Sequence, residues 1–345
     1  MAGLVAAARA RELGASPVVL EKGDRPGGSM LLSSGVVWRH RSTEDFRREC
    51  PAGDPALQRR IVDELDHALD WLESLGVKPV ATETGNPLTV GRRYDSRTLT
   101  DVLVRAAGVV RLEAPFAEAQ VLATGGFGVR LAREQGLLLR ATPWSAGEGL
   151  DYGLERGAAV SEGMDEYYGR AMPGEVSEDE FVSASQLYAR YALVLDDAGA
   201  DLGEAAWHEN DIVQRFPSGV AWYVVDAAAL RERTPYGTVA DAIEVARAAG
   251  GDVLPAEELP FTLPASPKLA EPPFTAVRVY AAVTHTIGGL RVDESARVLD
   301  REGTPVDGGL HAAGADAGGI FTGGYGSGLA AALVYGRIAA ETALR

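Results

Sequence analysis

The sequence predicts an α/β fold in which two distant stretches, residues 1–130 and 276–345, share one domain, and residues 131–275 form an inserted module. Three observations predict it. A small-residue helix over residues 3–13 leads into a buried apolar strand at 17–20, and that strand ends in the acid Glu21. Glycine-punctuated texture fades between about 128 and 275 and returns from Thr275 onward. The chain then runs into the apolar helix "SGLAAALVYGRIAAETAL", whose start is marked by Ser327 and Gly328.

The elements follow in order. Asp54 is placed to cap a helix that has Pro55 at its first position. Ile61, Leu65, Ala68, Leu69 and Leu72 then recur at helical spacing until Gly76 stops the run. Ser96 is read as the cap of a second amphipathic helix through Leu99, Val102, Leu103 and Ala106, ending near Gly108. "AQVLATGGF" (119–127) reads as a short strand breaking into a glycine turn. The middle third carries acidic loops, the pair Tyr167-Tyr168, the strand "VAWYVV" (220–225) and a proline-rich stretch, "LPFTLPASPKLAEPPF". That texture belongs to a separate module tethered at both ends.

Composition narrows the function. With 345 residues, 46% of them apolar and 24% charged, the chain can bury a substantial core. A formal charge of -16 disfavours nucleic acid and anionic membrane surfaces, because an acidic protein repels phosphates. The expected partner is a small-molecule substrate. Cys50, the one cysteine, excludes an internal disulfide and any multi-cysteine metal centre, as expected for a reducing compartment. Arg9 and Arg11 interrupt the only candidate leader, and no uncharged apolar run reaches the roughly 18 residues of a spanning helix. A cytoplasmic protein without a metal site is the expectation.

A dinucleotide fold needs a strand, a glycine-rich turn, a helix whose N-terminus faces the pyrophosphate, and a second strand ending in an acid for the ribose. Helix, second strand and acid are present, with Glu21 lying 18 residues after Gly3. The expected spacing is roughly 20. The missing first strand is explained most simply if Met1-Ala2-Gly3 are the last residues of a Gly-x-Gly-x-x-Gly turn. An amphipathic helix docked on an ordinary sheet fits residues 1–21 equally well.

Motifs further along distinguish the two. "EKGDRPGGSM", the "ATGGF" turn at Ala123–Phe127, "HTIGG" from His285 with Asp293 after it, and "GLHAAGADAGGIFTGGYGSGLAAALVYGRIAA" occur in that order. Together they resemble the flavoprotein family of soluble fumarate reductases, tricarballylate-type dehydrogenases and 3-ketosteroid 1-dehydrogenases, over nearly the whole chain. The resemblance implies a Rossmann-like FAD-binding domain with an inserted α+β capping domain, and FAD as cofactor. Glu21 would accept the adenosine ribose hydroxyls. Gly3, Lys22, Gly27, Gly28 and Gly35 would line the approach to the cofactor, glycine letting the backbone come close. Ser29, Ser33 and Ser34 would donate to pyrophosphate or flavin, or simply cap turns. Thr124, Gly125 and Gly126 would lie beside the adenine half, with Gly288, Gly289 and Gly314 also on the cofactor. Ser327, Gly328 and Leu329 would aim the positive end of the last helix at the flavin edge where charge accumulates.

The chain departs from that family in four ways. The first strand and two glycines are absent, which would remove two or three charge-assisted hydrogen bonds of roughly 1.5–3 kcal/mol each. The passage before "ATGGF" is short. Ala315 replaces a frequent Glu after "AAG", so that neighbouring Asp316 is expected to substitute as the ribityl acceptor. Met30 stands where membrane-bound relatives carry the flavin-linking histidine, so FAD should be non-covalent.

On the substrate side, His285 and Thr286 match the family's "HT", whose imidazole hydrogen-bonds a carbonyl or carboxylate. Tyr325 falls where fumarate reductases carry a clamping arginine and ketosteroid dehydrogenases a tyrosine. One phenolic donor suits a ketone or enone, whereas a guanidinium grips a carboxylate in bidentate fashion. Arg190 sits near the cap's proton-donating arginine, with a surface salt bridge as the alternative reading, and Glu204 near the cap's acid. His40, His67, His208 and His311 are read as structural or surface residues. The resulting expectation is an FAD-dependent oxidoreductase acting on a C–C bond next to a carbonyl, with an electron donor or acceptor that the sequence does not specify. The alternative is a truncated, non-catalytic fragment with impaired FAD binding. A nicotinamide-only dehydrogenase fits poorly, since it has no use for the C-terminal glycine-helix segment.

Overall fold

The computed structural model describes residues 1–206, 209–234 and 236–345; the predicted structural residue His208 lies outside them. The chain divides into two compact units. The first comprises Met1–Leu131, Ala141–Tyr167 and His285–Arg345, and the second Ala132–Arg140 and Tyr168–Thr284. Residues 141–167, expected in the inserted module, thus belong to the first unit.

In the first unit the helix Ala2–Glu12 packs on the helices Gly328–Ala343 and Ser96–Ala107. Alanines make this close approach possible. Gly336 goes further, since a Cβ there would stand 2.8 Å from the Ala2 carbonyl oxygen and 3.1 Å from the Val5 side chain. The Pro55–Ser74 helix begins as its sequence dictates: the Asp54 carboxylate accepts from the amides of Ala56 and Leu57. Its apolar stripe, Leu57, Ile61, Leu65, Leu69 and Leu72, is fully buried. Gly76 ends the run with φ of 107°. At the Ser96–Ala107 helix the cap is Asp95, one residue before the expected Ser96, because its carboxylate reaches the Thr98 amide.

Strands in this unit are short. Val18–Leu20 pairs in parallel with Val109–Arg111, and Val121–Leu122 pairs in parallel with His311–Ala312. Val36–His40 runs antiparallel to Thr89–Arg93. The strand expected to be buried at 17–20 is not: Val18 is 46% and Leu20 41% exposed. Among the described residues it hydrogen-bonds to one partner strand, so its other edge and the side chains beside it lie open. Of the remaining histidines, His40 is buried between Trp38 and Phe46, His311 is buried on its strand, and His67 is exposed.

The second unit is built on one sheet ordered Val253–Pro255, Thr275–Thr286, Val220–Val225, Leu193–Leu195, all antiparallel neighbours. Leu138–Leu139 adds in parallel to the Thr275–Thr286 strand. Leu193, Leu195, Trp222, Val224 and Ala276 fill one apolar face. Thr238 and Asp241 form a reciprocal cap at the start of the helix Val239–Ala248. Deep in the unit, the Arg170 guanidinium lies 3.5 Å from the Glu209 carboxylate and donates to the Ser185 carbonyl at 2.6 Å. Both charged side chains are buried, so each depends on the other for its charge balance.

Two stability predictions follow from this packing. Gly336→Val should lower stability by about 2 kcal/mol through overpacking, read as a reduced urea midpoint. Glu209→Ala leaves the Arg170 charge buried without its counterion and should cost about 3–5 kcal/mol, read by thermal melting; an unchanged melt would show the pair to be dispensable.

Candidate functional site

The first unit contains all of the sequence-predicted site residues except Arg190 and Glu204. Glu21 closes its strand, and its carboxylate turns back to accept the Gly23 amide at 2.9 Å. Gly23 lies flat against the Trp144 ring, where a Cβ would come within 2.5 Å. Lys22 pairs with the Glu148 carboxylate. Gly27 and Gly28 then turn the chain with φ of 108° and 52°, the left-handed region that favours glycine, and no atom stands within 4 Å of a Cβ built on Gly28. That leaves open space directly over the backbone.

The serines that follow are bonded within the protein. Ser29 Oγ accepts the Thr142 amide at 3.1 Å. Ser33 Oγ donates to the Met30 carbonyl and accepts the Gly35 amide, which makes it a turn-capping residue. Ser34 is half-buried. Gly35 is required by packing, since a Cβ would overlap the Tyr94 carbonyl oxygen.

Asp316 knits the site together. Its carboxylate accepts from the Thr124 amide, from Thr124 Oγ1 at 2.8 Å and from the Gly125 amide at 3.2 Å. Burial pushes this carboxyl above the usual range while the hydrogen bonds from Thr124 and Gly125 pull the other way. The residue expected as ribityl acceptor thus clamps the glycine turn. Around that turn stand two hydroxyls, that of Thr286 from the "HT" motif and that of Ser145, which sequence reasoning missed. Ser145 Oγ lies beside Gly125, and Thr286 Oγ1 beside Gly126, near enough that a Cβ on either glycine would fall within 2.6 Å of them. Both hydroxyls, and that of Thr142, are buried without a hydrogen-bond partner among the described residues. Orphaned hydroxyls, two of them against the glycine turn, match a ligand rich in polar groups. The glycine turn of "WSAGEG" ahead of the helix Glu148–Glu155 was the available signal for Ser145.

Gly288 and Gly289 serve the backbone's own packing. A Cβ on Gly288 would meet Met164, and one on Gly289 the backbone of Asp316 and Gly318. Gly314, with φ of 69°, abuts Ala2 in the same way, and Gly3 has Ala123 at 3.4 Å from a built Cβ.

At the start of the last helix the substrate-side candidates meet. Ser327 caps it by accepting the Ala330 amide, and the Gly328 amide donates to Tyr325 Oη at 3.2 Å. The His285 ring packs on Gly328, 3.1 Å from where its Cβ would be, and its centroid lies 6.3 Å from that of Tyr325. Phe321 and Trp38 complete the cluster at 5.7 and 6.1 Å from Tyr325. Leu329 is half-buried beside them. Burial lowers the His285 pKa to about 4, so the imidazole is neutral near pH 7. Arg190 belongs to the second unit, its guanidinium 4.5 Å from the Tyr188 ring centre and 4.9 Å from that of Tyr191.

The depressed histidine has a stability consequence. Its unfolded form, with an ordinary pKa near 6.5, takes up a proton before the folded form does. Stability is therefore present at neutral pH and lost as pH falls from about 6.5 towards 4, by roughly 3 kcal/mol at most. His285→Gln should flatten that part of the curve of urea midpoint against pH, and an identical curve would contradict it.

Comparison with known proteins supports the same assignment of the whole chain. At 42% identity over 78 residues it is similar to NADH:acrylate oxidoreductase of Vibrio harveyi, a match covering 22% of this chain and 8% of that protein. The matched stretch is thus a small part of that relative's length. Among solved structures, the open conformation of a flavocytochrome c3 fumarate reductase superposes with a TM-score of 0.69 at 20% identity, covering 100% of this chain and 77% of the other. The 3-ketosteroid-Δ4-(5α)-dehydrogenase of Rhodococcus jostii RHA1 gives 0.71 at 18% identity, covering 100% and 95%. These likenesses show a common fold. The model of the FAD binding domain matches residues 1–108 and 95–328, and this chain belongs to that family.

Proposed function

We propose that the chain is an FAD-dependent oxidoreductase that adds or removes hydrogen across a C–C bond adjacent to a carbonyl. The observation that carries this reading is the meeting of Tyr325 and a neutral His285 at the N-terminus of the Gly328–Ala343 helix, walled by Phe321 and Trp38.

The residues fit the cofactor. Orphaned hydroxyls on Ser145 and Thr286 flank the Thr124–Gly126 turn, and Gly28 leaves its backbone bare. Glu21, Gly27, Gly28, the Thr124–Gly126 turn, Ser145 and Thr286 would hold FAD non-covalently. Bound there, FAD supplies the capacity to accept or donate hydride. On this reading the Ala2–Glu12 helix, the Val18–Leu20 strand and Glu21 are part of a Rossmann-like half. The open edge of that strand, with Val18 and Leu20 exposed, is where the family's first strand would pair.

This chain's own groups act on the carbonyl. A phenol can both accept and donate, and Tyr325 accepts the Gly328 amide. Tyr325 and His285 would donate to the carbonyl oxygen and stabilise the negative charge that grows there as an α-proton leaves. The first turn of the helix adds its positive end to the same region. Aromatic walls with single donors favour an apolar ketone or enone over a dicarboxylate, which calls for a bidentate cation. The solved ketosteroid dehydrogenase holds 4-androstene-3,17-dione, a ketone of that description.

The cofactor part is tested by the visible spectrum of the purified protein, which should show a flavin band or gain one on titration with FAD. A preparation that stays colourless with added FAD refutes it. For the chemistry, Tyr325→Phe should keep bound FAD yet lower kcat on a cyclic enone or its saturated ketone by about 10²–10³-fold. Full turnover by that variant would remove Tyr325 from the reaction.

A further inference from the structure

We propose that Glu166 is a positioning residue that fixes the loop carrying Tyr325 to the strand end carrying His285. The proposal builds on the reading of those two residues as the substrate-facing pair. Glu166 lies in a loop before the chain leaves the first unit, outside every motif that the sequence marks. Its side chain accepts the Gly323 amide at 2.8 Å. Its own carbonyl accepts the Ile287 amide at 3.1 Å, two residues beyond His285. One residue therefore grips both segments, one through its side chain and the other through its backbone.

The loop needs such a grip. Gly323 and Gly324 form a tight turn closed by the Gly324 amide on the Phe321 carbonyl, and Gly323 sits at φ of 81°. Glycine pairs leave a backbone free to sample many conformations. The side towards residues 49–58 is well held: the Asp54 amide donates to the Gly319 carbonyl, Gln58 Nε2 donates to the Ile320 carbonyl, and Gly324 lies against the Glu49 carbonyl. Those bonds fix the loop up to Ile320 and at Gly324. Glu166 holds it at Gly323, two residues before Tyr325, and a charged acceptor makes the stronger kind of hydrogen bond to an amide. The Glu166 backbone is itself set by its amide donating to the Gly163 carbonyl, which also accepts the Gly288 amide. The carboxylate consequently reports the position of the His285 strand to the tyrosine loop.

The test places 3-fluorotyrosine at position 325 of the FAD-loaded protein and follows its ¹⁹F resonance in the wild type, Glu166→Gln and Glu166→Ala. The glutamine carbonyl can still accept from Gly323, whereas alanine cannot. A shifted or broadened resonance in Glu166→Ala, with Glu166→Gln close to wild type, supports the role. A parallel drop in kcat of about 10–100-fold for Glu166→Ala, rescued in Glu166→Gln, would accompany it. A resonance unmoved by Glu166→Ala, or displaced equally by both variants, overturns the proposal. If Glu166→Ala does not fold, Glu166→Asp, which keeps the charge but shortens its reach, is read in its place by the same criterion. Failure of the functional reading is distinguishable, because full turnover by Tyr325→Phe leaves the fluorine measurement able to decide the role of Glu166 alone.

Discussion

Everything in the candidate site hangs on one buried carboxylate. Asp316 accepts from two consecutive backbone amides and a hydroxyl of the Thr124–Gly126 turn, and so binds residues nearly two hundred positions apart in sequence. Backbone donors in a glycine turn are costly to bury unpaired, and a buried carboxylate is costly to leave unbonded. Each solves the other's problem. The turn is thereby set at left-handed dihedrals with Ser145 and Thr286 pressed against glycines that admit no side chain. Without that clamp the hydroxyl wall has no fixed geometry.

The second half of the site is organised differently, by packing around a helix terminus. Ser327 satisfies one amide of the last helix and Tyr325 another, so a side chain proposed to meet substrate also completes the helix start. A neutral imidazole is the natural outcome of enclosing His285 with Phe321, Tyr325 and Gly328, where burial strips it of water. The protein as a whole is strongly acidic, with a formal charge of -16. A net charge of that sign slows the approach of anionic substrates and leaves neutral ones unaffected, in agreement with the ketone proposed above.

Local chemistry made much of this legible beforehand. Asp54 with Pro55, Gly76, and Ser327 with Gly328 mark helix ends through rules that operate within a few residues, and the structure obeys them. The strand Val220–Val225 likewise follows from its run of apolar and β-branched residues. What failed depended on distant partners. Val18 and Leu20 look like core residues, yet their exposure is decided by which strand lies alongside, and periodicity carries no such information. Asp95 took the cap from Ser96 because both are good caps and only backbone geometry chooses between them. The tie from Asp316 to the Thr124–Gly126 turn also escaped the sequence, because the two lie far apart along the chain. Glu166 and Trp38 carried no pattern at all, since neither a lone acid nor a lone tryptophan announces which loop it will support.

The pairing of the Ala2–Glu12 helix with the Gly328–Ala343 helix bears on how the molecule is made. A helix so rich in alanine has little to hold it until its partner surface exists, and that surface is completed only after residue 343 has been synthesised. The face that meets Ser96–Ala107 can be covered early, whereas the face that meets Gly328–Ala343 stays uncovered until then. Closing so long a loop carries an entropic cost, and contacts of that sequence separation form slowly.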